Sequence, residues 1–301
     1  MANPEFGSIE IHTDGSATVL TGSSAHGQGH HTAFAQLASS LTGIPFERIE
    51  VRHGDTAEVP RGGGTGGSKS LQVGGSAVWQ ATEAVIEEAR GLAAELLEAN
   101  PDDIVLDADT GAFAVAGTPT ITRTWADVAV KAAEDTGDPL RSEADFQPPG
   151  ATFPFGVHLS VVEIDRETGE VTILRHVACD DAGTMVNPLL VEGQVHGGVA
   201  SGIAQALVEE FVYDEQGNPQ TANFMDYALV SAAELPSFER LPQETPTPRN
   251  PLGAKGIGES GTIGATPAVQ NAVVDALAHL GVTHVDIPTT AERVWRAMQT
   301  A

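Results

Sequence analysis

The chain has 301 residues, 41% of them apolar, which suffices for one large domain or two smaller ones. Its 41 Asp and Glu against 15 Lys and Arg leave a formal charge of −26, a surface that repels nucleic-acid phosphates and anionic membranes alike. Cys179 is the only cysteine, which excludes an intrachain disulfide, an all-cysteine metal site and an iron–sulfur cluster held by this chain alone.

The first stretch, MANPEFGSIE, lacks the basic and apolar regions of a signal peptide, and no apolar run approaches the length that spans a bilayer. A cytoplasmic setting is therefore expected. Residues 8–21 alternate apolar and polar around Asp14-Gly15 and predict a β-hairpin. A helix is expected over 28–42, with Phe34, Leu37 and Leu41 on one face and Gly43 and Pro45 ending it. FERIEVRHGD reads as a strand, and the glycine-dense RGGGTGGSKS follows it as a loop. A long helix is predicted over 76–99, from the stripe Val78, Val85, Leu92 and Leu96. Strand-like and short helical pieces fill 104–134, and the polar run 135–152, ending Pro148-Pro149-Gly150, marks a domain boundary.

The second half opens on another hairpin, around Glu167-Thr168-Gly169, after which Gly193-Gln194 starts an Ala/Gly-rich helix. Hairpin, Gly-Gln, helix thus occurs twice, a weak internal duplication. Residues 235–252 are Pro-rich and are read as irregular. Thr266-Pro267 reads as the N-cap and first residue of a helix with Val269, Val273, Ala276, Leu277 and Leu280 on one face, and a last short helix is expected near Thr289 or Thr290.

GAKGIGESG, residues 253–261, contains Gly256-x-Gly258-x-x-Gly261, the spacing of a dinucleotide-binding turn. Such a turn needs a buried strand running into its first glycine, and LPQETPTPRNPLGAK cannot supply one. The cluster Gly62–Ser70 fails as a P-loop because Ser68 separates Gly67 from Lys69. It still offers backbone N–H groups, hydroxyls and a lysine to an anion; a plain surface loop fits the composition equally well. His26 and His30 would share a helix face, but two histidines without a nearby carboxylate make a poor metal site, and local hydrogen bonding is the better reading. Cys179 reads as a small core residue. Gln28 and Gln194, each beside glycine, are either caps or ligand-facing amides. Glu259 is either a solvated turn residue or a base presented from a loop cleared of side chains.

Taken together, GQGH (27–30), GGTGGSKS (63–70), EGQVHGG (192–198), NFMDY (223–227) and GAKGIGES (253–260) resemble, in this order, the large subunits of the molybdenum hydroxylases. That family includes xanthine dehydrogenase, aldehyde oxidase and the aerobic carbon monoxide dehydrogenases, and the resemblance covers their C-terminal molybdopterin-binding half. It implies an α+β fold of two similar strand–helix subdomains, residues 1–150 and 151–301, the second carrying the catalytic glutamate loop. It implies Glu259 as the base beside molybdenum, in the oxidation of a small substrate (an aldehyde, an N-heterocycle or carbon monoxide) with water as oxygen source. Gly27, Gln28, Gly29, Thr65, Gly66, Gly67, Ser68, Lys69, Ser70, Gln194 and Lys255 match cofactor-binding positions. The metal is held through the pterin dithiolene, so no side chain is expected to ligate it. Gly66 stands where the best-known carbon monoxide dehydrogenases carry Tyr, which argues against that substrate. The cofactor implied is molybdopterin in its cytosine dinucleotide form, with FAD and 2Fe–2S clusters on partner subunits. A further chain or domain is needed to supply the family's other molybdopterin-binding half. The alternative is a non-catalytic assembly partner that keeps the fold.

Overall fold

The computed structural model describes residues 3–300. By contact the chain divides into two units. The first takes the residues up to Phe153 with Thr184–Asn187 and Pro246–Gly256; the second takes Pro154–Gly183, Pro188–Thr245 and the residues from Ile257 onward.

In the first unit, β1 (Glu5–Ile11) and β2 (Ala17–Thr21) form the expected antiparallel hairpin. β3 (Ile49–Arg52) adds parallel to β2 on one side. A second hairpin sheet comprises β4 (Ile104–Asp107), β5 (Ala112–Val115) and β6 (Thr118–Thr124). β7 (Leu140–Phe146) pairs with β1 along its whole length, inside a run read from sequence as a polar boundary. Its polar residues are tolerated because β7 is an edge of the order β3-β2-β1-β7. α1 (His30–Thr42) ends at Gly43 in the left-handed region. α2 (Ser76–Leu97) lies on the sheet so closely that a Cβ at Gly7 would stand 2.5 Å from the backbone N of Val78. α3 (Trp125–Thr136) starts from a full capping box between Thr124 and Asp127. The core gathers Ile9, Ile11, Val19, Phe34, Val78, Val85, Phe113 and Trp125, the last two edge to face at 4.8 Å.

In the second unit, β8 (Gly156–Ile164) and β9 (Val171–Asp181) form the second expected hairpin. β10 (Phe238–Gln243) runs parallel to β9, where the Pro-rich composition predicted no regular structure. Pro242 is accommodated because β10 is an edge strand. One face of the sheet packs Ile173 and Ala178 against α4 (Pro188–Leu207) and α5 (Ser260–Leu277). The opposite face stays apolar and open, with Val157 72% and Leu241 55% exposed. α6 (Ala291–Thr300) closes the chain where a last helix was expected.

Two helix starts differ from expectation. α4 begins at Pro188, a first-turn proline, so Gly193-Gln194 lies inside the helix rather than at its start. α5 begins at Ser260, with Glu259 as its N-cap residue and Pro267 in its interior. Thr266 is not a cap: its hydroxyl donates to Gly202 O on α4 at 3.1 Å.

Candidate functional site

The glycine loop of the first unit is built on β1. Its backbone meets Gly22, whose carbonyl accepts from Gly64 N at 3.1 Å. Thr65 is the knot that ties it down. Its hydroxyl donates to Ser24 O, accepts from Gln28 Nε2 at 3.2 Å and lies 3.1 Å from Ser70 Oγ. Gln28 Oε1 in turn accepts from His26 N. Three of the predicted positions, Gln28, Thr65 and Ser70, therefore form one hydrogen-bonded set. Gly27 and Gly29 stand at φ +94 and +85, backbone that only glycine adopts cheaply. A Cβ at Gly27, Gly66 or Gly67 would meet nothing within 4 Å, so these glycines face open space. Gly67 and Ser68 both lie in the left-handed region, and Ser70–Gly75 winds as a π-helix directly into α2. Short π segments inside helices concentrate at functional sites.

Lys69 does not point away from this loop. Its ammonium lies 3.4 Å from Glu5 Oε2, and Glu5 is fully buried. Gly256, the first glycine of the sequence fingerprint, serves the same loop. A Cβ there would stand 2.7 Å from Ser68 Cβ and 2.9 Å from Gln72 Nε2. Lys255 precedes it, half-buried.

α1 begins beneath this set without a side-chain cap. His30, its first residue, is buried and stacks on Phe34 at 5.2 Å. Burial, and then the neighbouring histidines, push it down to about 4, so it is neutral at physiological pH. His30 Nδ1 and Ser23 Oγ are buried without hydrogen-bond partners. His26 precedes the helix, so the two histidines do not share a helical face as the spacing suggested. Among the described residues no three His, Cys, Asp or Glu side chains are grouped to hold a metal ion.

In the second unit Gln194 is half-buried on α4 and Glu259 is exposed at the start of α5. The two helices run parallel. A Cβ at Gly261 would stand 2.7 Å from Val195 O, one at Gly198 would stand 2.9 Å from Thr262 N, and one at Gly202 would stand 2.8 Å from Ala265 Cβ. Gln194 and Glu259 therefore sit toward the same end of one tight helix pair. Gly261 is small for packing, not for a pyrophosphate. β10 ends at Gln243, so no strand runs into the fingerprint, and the dinucleotide reading lacks its structural basis.

Beneath α5 lies a chain of buried polar groups that sequence reading missed. Asp180 Oδ2 is 3.2 Å from His158 Nε2, His158 Nδ1 is 3.3 Å from His176 Nε2, and His176 Nδ1 is 2.6 Å from Ser160 Oγ. Alternation was the available signal, since His158, Ser160 and His176 stand on the core-facing side of their strands. Burial and then the charge of His158, opposed by Asp180, hold His176 at about 4. A histidine neutral in the fold but free to protonate when unfolded loses stability as pH drops below its ordinary value, and the loss is complete near its folded value. The urea midpoint is therefore expected to fall between neutral pH and about pH 4.5, and to fall less in His176→Gln. Equal slopes in the two proteins would remove His176 as a source of acid sensitivity.

Cys179 is half-buried on the open face of β9, opposite Val157 on β8 and Leu241 on β10. It is not the core residue expected.

Among the described residues no helix is long and apolar enough to cross a membrane. A family model for a molybdopterin cofactor-binding domain matches residues 1–236. The chain is 43% identical to the carbon monoxide dehydrogenase large chain of Hydrogenophaga pseudoflava, over 97% of its own length and 36% of that relative's. It is 40% identical to 6-hydroxypseudooxynicotine dehydrogenase complex subunit gamma of Paenarthrobacter nicotinovorans, over 98% of this chain and 38% of that one. The solved carbon monoxide dehydrogenase of Oligotropha carboxidovorans superimposes with a TM-score of 0.91 at 38% identity, covering 98% of this chain and 37% of that one. The chain thus spans little more than a third of each of these three relatives.

Proposed function

The chain belongs to the molybdenum hydroxylase family, matching the molybdopterin-binding region of its large subunits, and on that premise we propose that it is the catalytic-base-bearing part of a molybdenum-dependent hydroxylase or dehydrogenase. The observation that carries this reading is the cradle of the first unit. Open glycines at 66 and 67, an uncapped α1 and the unpartnered Ser23 Oγ and His30 Nδ1 suit a ligand gripped largely by backbone. The chemistry of the donor set fits a pterin and its phosphates, because helix N-termini and glycine turns favour anions.

Bound molybdopterin supplies the redox chemistry of the reaction. This chain's own residues bind and move a proton. Gly27–Gly29 let the backbone approach the ligand, and the Gln28–Thr65–Ser70 set holds the loop in one shape. Gln194 offers an amide that both donates and accepts. Glu259 takes a proton on its carboxylate as the substrate carbon is oxidised. Its backbone position is fixed because its carbonyl already accepts from Ile263 N at 3.1 Å.

A small oxidisable molecule is the substrate class, with aldehydes and N-heterocycles ahead of carbon monoxide because Gly66 replaces the expected Tyr. The cofactor is proposed in its cytosine dinucleotide form. The polypeptide that accounts for the rest of the relatives' length is the proposed partner, alongside FAD and iron–sulfur subunits, in the cytoplasm. The exposed apolar face of the β8–β9–β10 sheet supports such a partner, since exposed apolar patches mark interfaces. Acid hydrolysis of the assembled complex is expected to release CMP stoichiometrically with molybdenum. Molybdenum without CMP would overturn the dinucleotide form, and a complex without molybdenum would overturn the reading itself.

A further inference from the structure

A lysine in a glycine-rich loop just ahead of a helix ordinarily reads as a ligand for phosphate, and sequence placed Lys69 among the cofactor contacts. Its surroundings say otherwise. Glu5 shares the inward side of β1 with Ile9 and Ile11 and is fully buried. Its carboxylate accepts from Phe6 N at 3.2 Å and from Gly63 N at 3.2 Å, and Lys69 Nζ completes the set at 3.4 Å. Lys69 keeps only 16% of its side chain exposed. The space around this pair is cleared by glycines. A Cβ at Gly63 would stand 2.5 Å from Lys69 Nζ, and one at Gly22 would run into Glu5 Oε1. Gly74 stands on the far side, where a Cβ would lie 3.5 Å from Glu5 Cγ.

We propose that Glu5 is the positioning residue of the glycine loop and Lys69 its internal counter-ion, so that the loop meets an anionic ligand through its backbone and not through a lysine charge. The physical ground is the cost of separating the two. A carboxylate without solvent must keep its cation and its N–H donors, and a lysine that left to bind a ligand would strand it. The anchoring half of this proposal stands on geometry alone; the ligand half rests on the cofactor reading above.

Three variants of the full chain test it: Glu5→Gln, Lys69→Met, and the two combined. Each single change strands one buried partner and is expected to lower Tm by about 10 °C, with faster amide exchange across residues 62–68. The double variant keeps an acceptor for Gly63 N and removes both charges, so it is expected to recover more than half of either loss. Folding of the double variant where Lys69→Met fails to fold would support the same conclusion. In the assembled complex the double variant is expected to hold molybdenum at no less than about half the wild-type content, a retention that a lysine–phosphate contact would not allow. A double variant no more stable than Lys69→Met would overturn the anchoring. Recovered Tm and exchange with molybdenum still lost would overturn the ligand half and return Lys69 to the cofactor. Wild-type protein that takes up no molybdenum would sink the cofactor reading, while Tm and exchange would still decide the role of Glu5.

Discussion

Glu259→Gln is expected to lower turnover of the assembled, cofactor-loaded complex by about 100- to 10,000-fold, the ordinary contribution of a positioned general base. The change keeps shape and size while removing the carboxylate's charge and its ability to accept a proton. Its structural cost should be small. Glu259 is exposed, its side chain makes no capping bond to α5, and its carbonyl bond to Ile263 N is backbone. Surface substitutions of this kind shift stability by about 0.5 kcal/mol or less. The loss in turnover corresponds to about 3–5 kcal/mol of barrier, so the two effects separate cleanly. Molybdenum content and Tm should match wild type while turnover collapses. Unchanged turnover would make the chain an assembly partner that retains the fold without its base.

Sequence periodicity located what periodicity governs. The β1–β2 and β8–β9 hairpins, α1 and α2 all follow from alternation or a 3.6-residue stripe within one segment. β7 and β10 escaped because edge strands are half solvated. LRSEADF and FERLPQ carry the charges and the proline that such an edge tolerates, and so read as loop. Thr266-Pro267 misled for a different reason. It has the local chemistry of a helix start, but the Thr266 hydroxyl finds its acceptor on α4, and that partner is invisible to any window around it. The candidate site divides the same way. That Gly62–Ser70 and Gly256–Gly261 were special could be read from residue type. What each glycine clears space for could not, because Gly63 makes room for Lys69 Nζ, Gly256 for Ser68 and Gly261 for Val195, and two of these three neighbours are far away in the chain. Glu5 was legible in principle, as a charge on the inward side of an apolar hairpin, and its significance came only with Lys69 beside it.

A large stability effect is expected at Gly261→Val. The atoms a Cβ would meet there are Val195 O, Val199 N and Gly198 Cα, at 2.7, 2.9 and 3.0 Å. All are α4 backbone, which cannot rotate aside as a side chain would. α4 and α5 must therefore separate, and the seam that holds them goes with that movement. Thr262 Oγ1 donates to Gly198 O at 2.9 Å and Thr266 Oγ1 to Gly202 O at 3.1 Å, and both bonds need the close approach. Overpacking together with the lost hydrogen bonds should cost about 3 kcal/mol or more, a Tm lower by about 6–12 °C. Gly197→Val is the control. It lies on the partner helix α4, exposed, with nothing within 4 Å of its Cβ, and valine has the better helix propensity, so it should be neutral or slightly stabilising. If Gly261→Val proved as stable as Gly197→Val, the close helix pair would not exist as described. Because Glu259 stands two residues before Gly261, at the head of the displaced helix, any assembled Gly261→Val complex should also lose turnover with its molybdenum retained. The fingerprint's last glycine would then be required for where it lets α5 begin, and through that for where the carboxylate is presented.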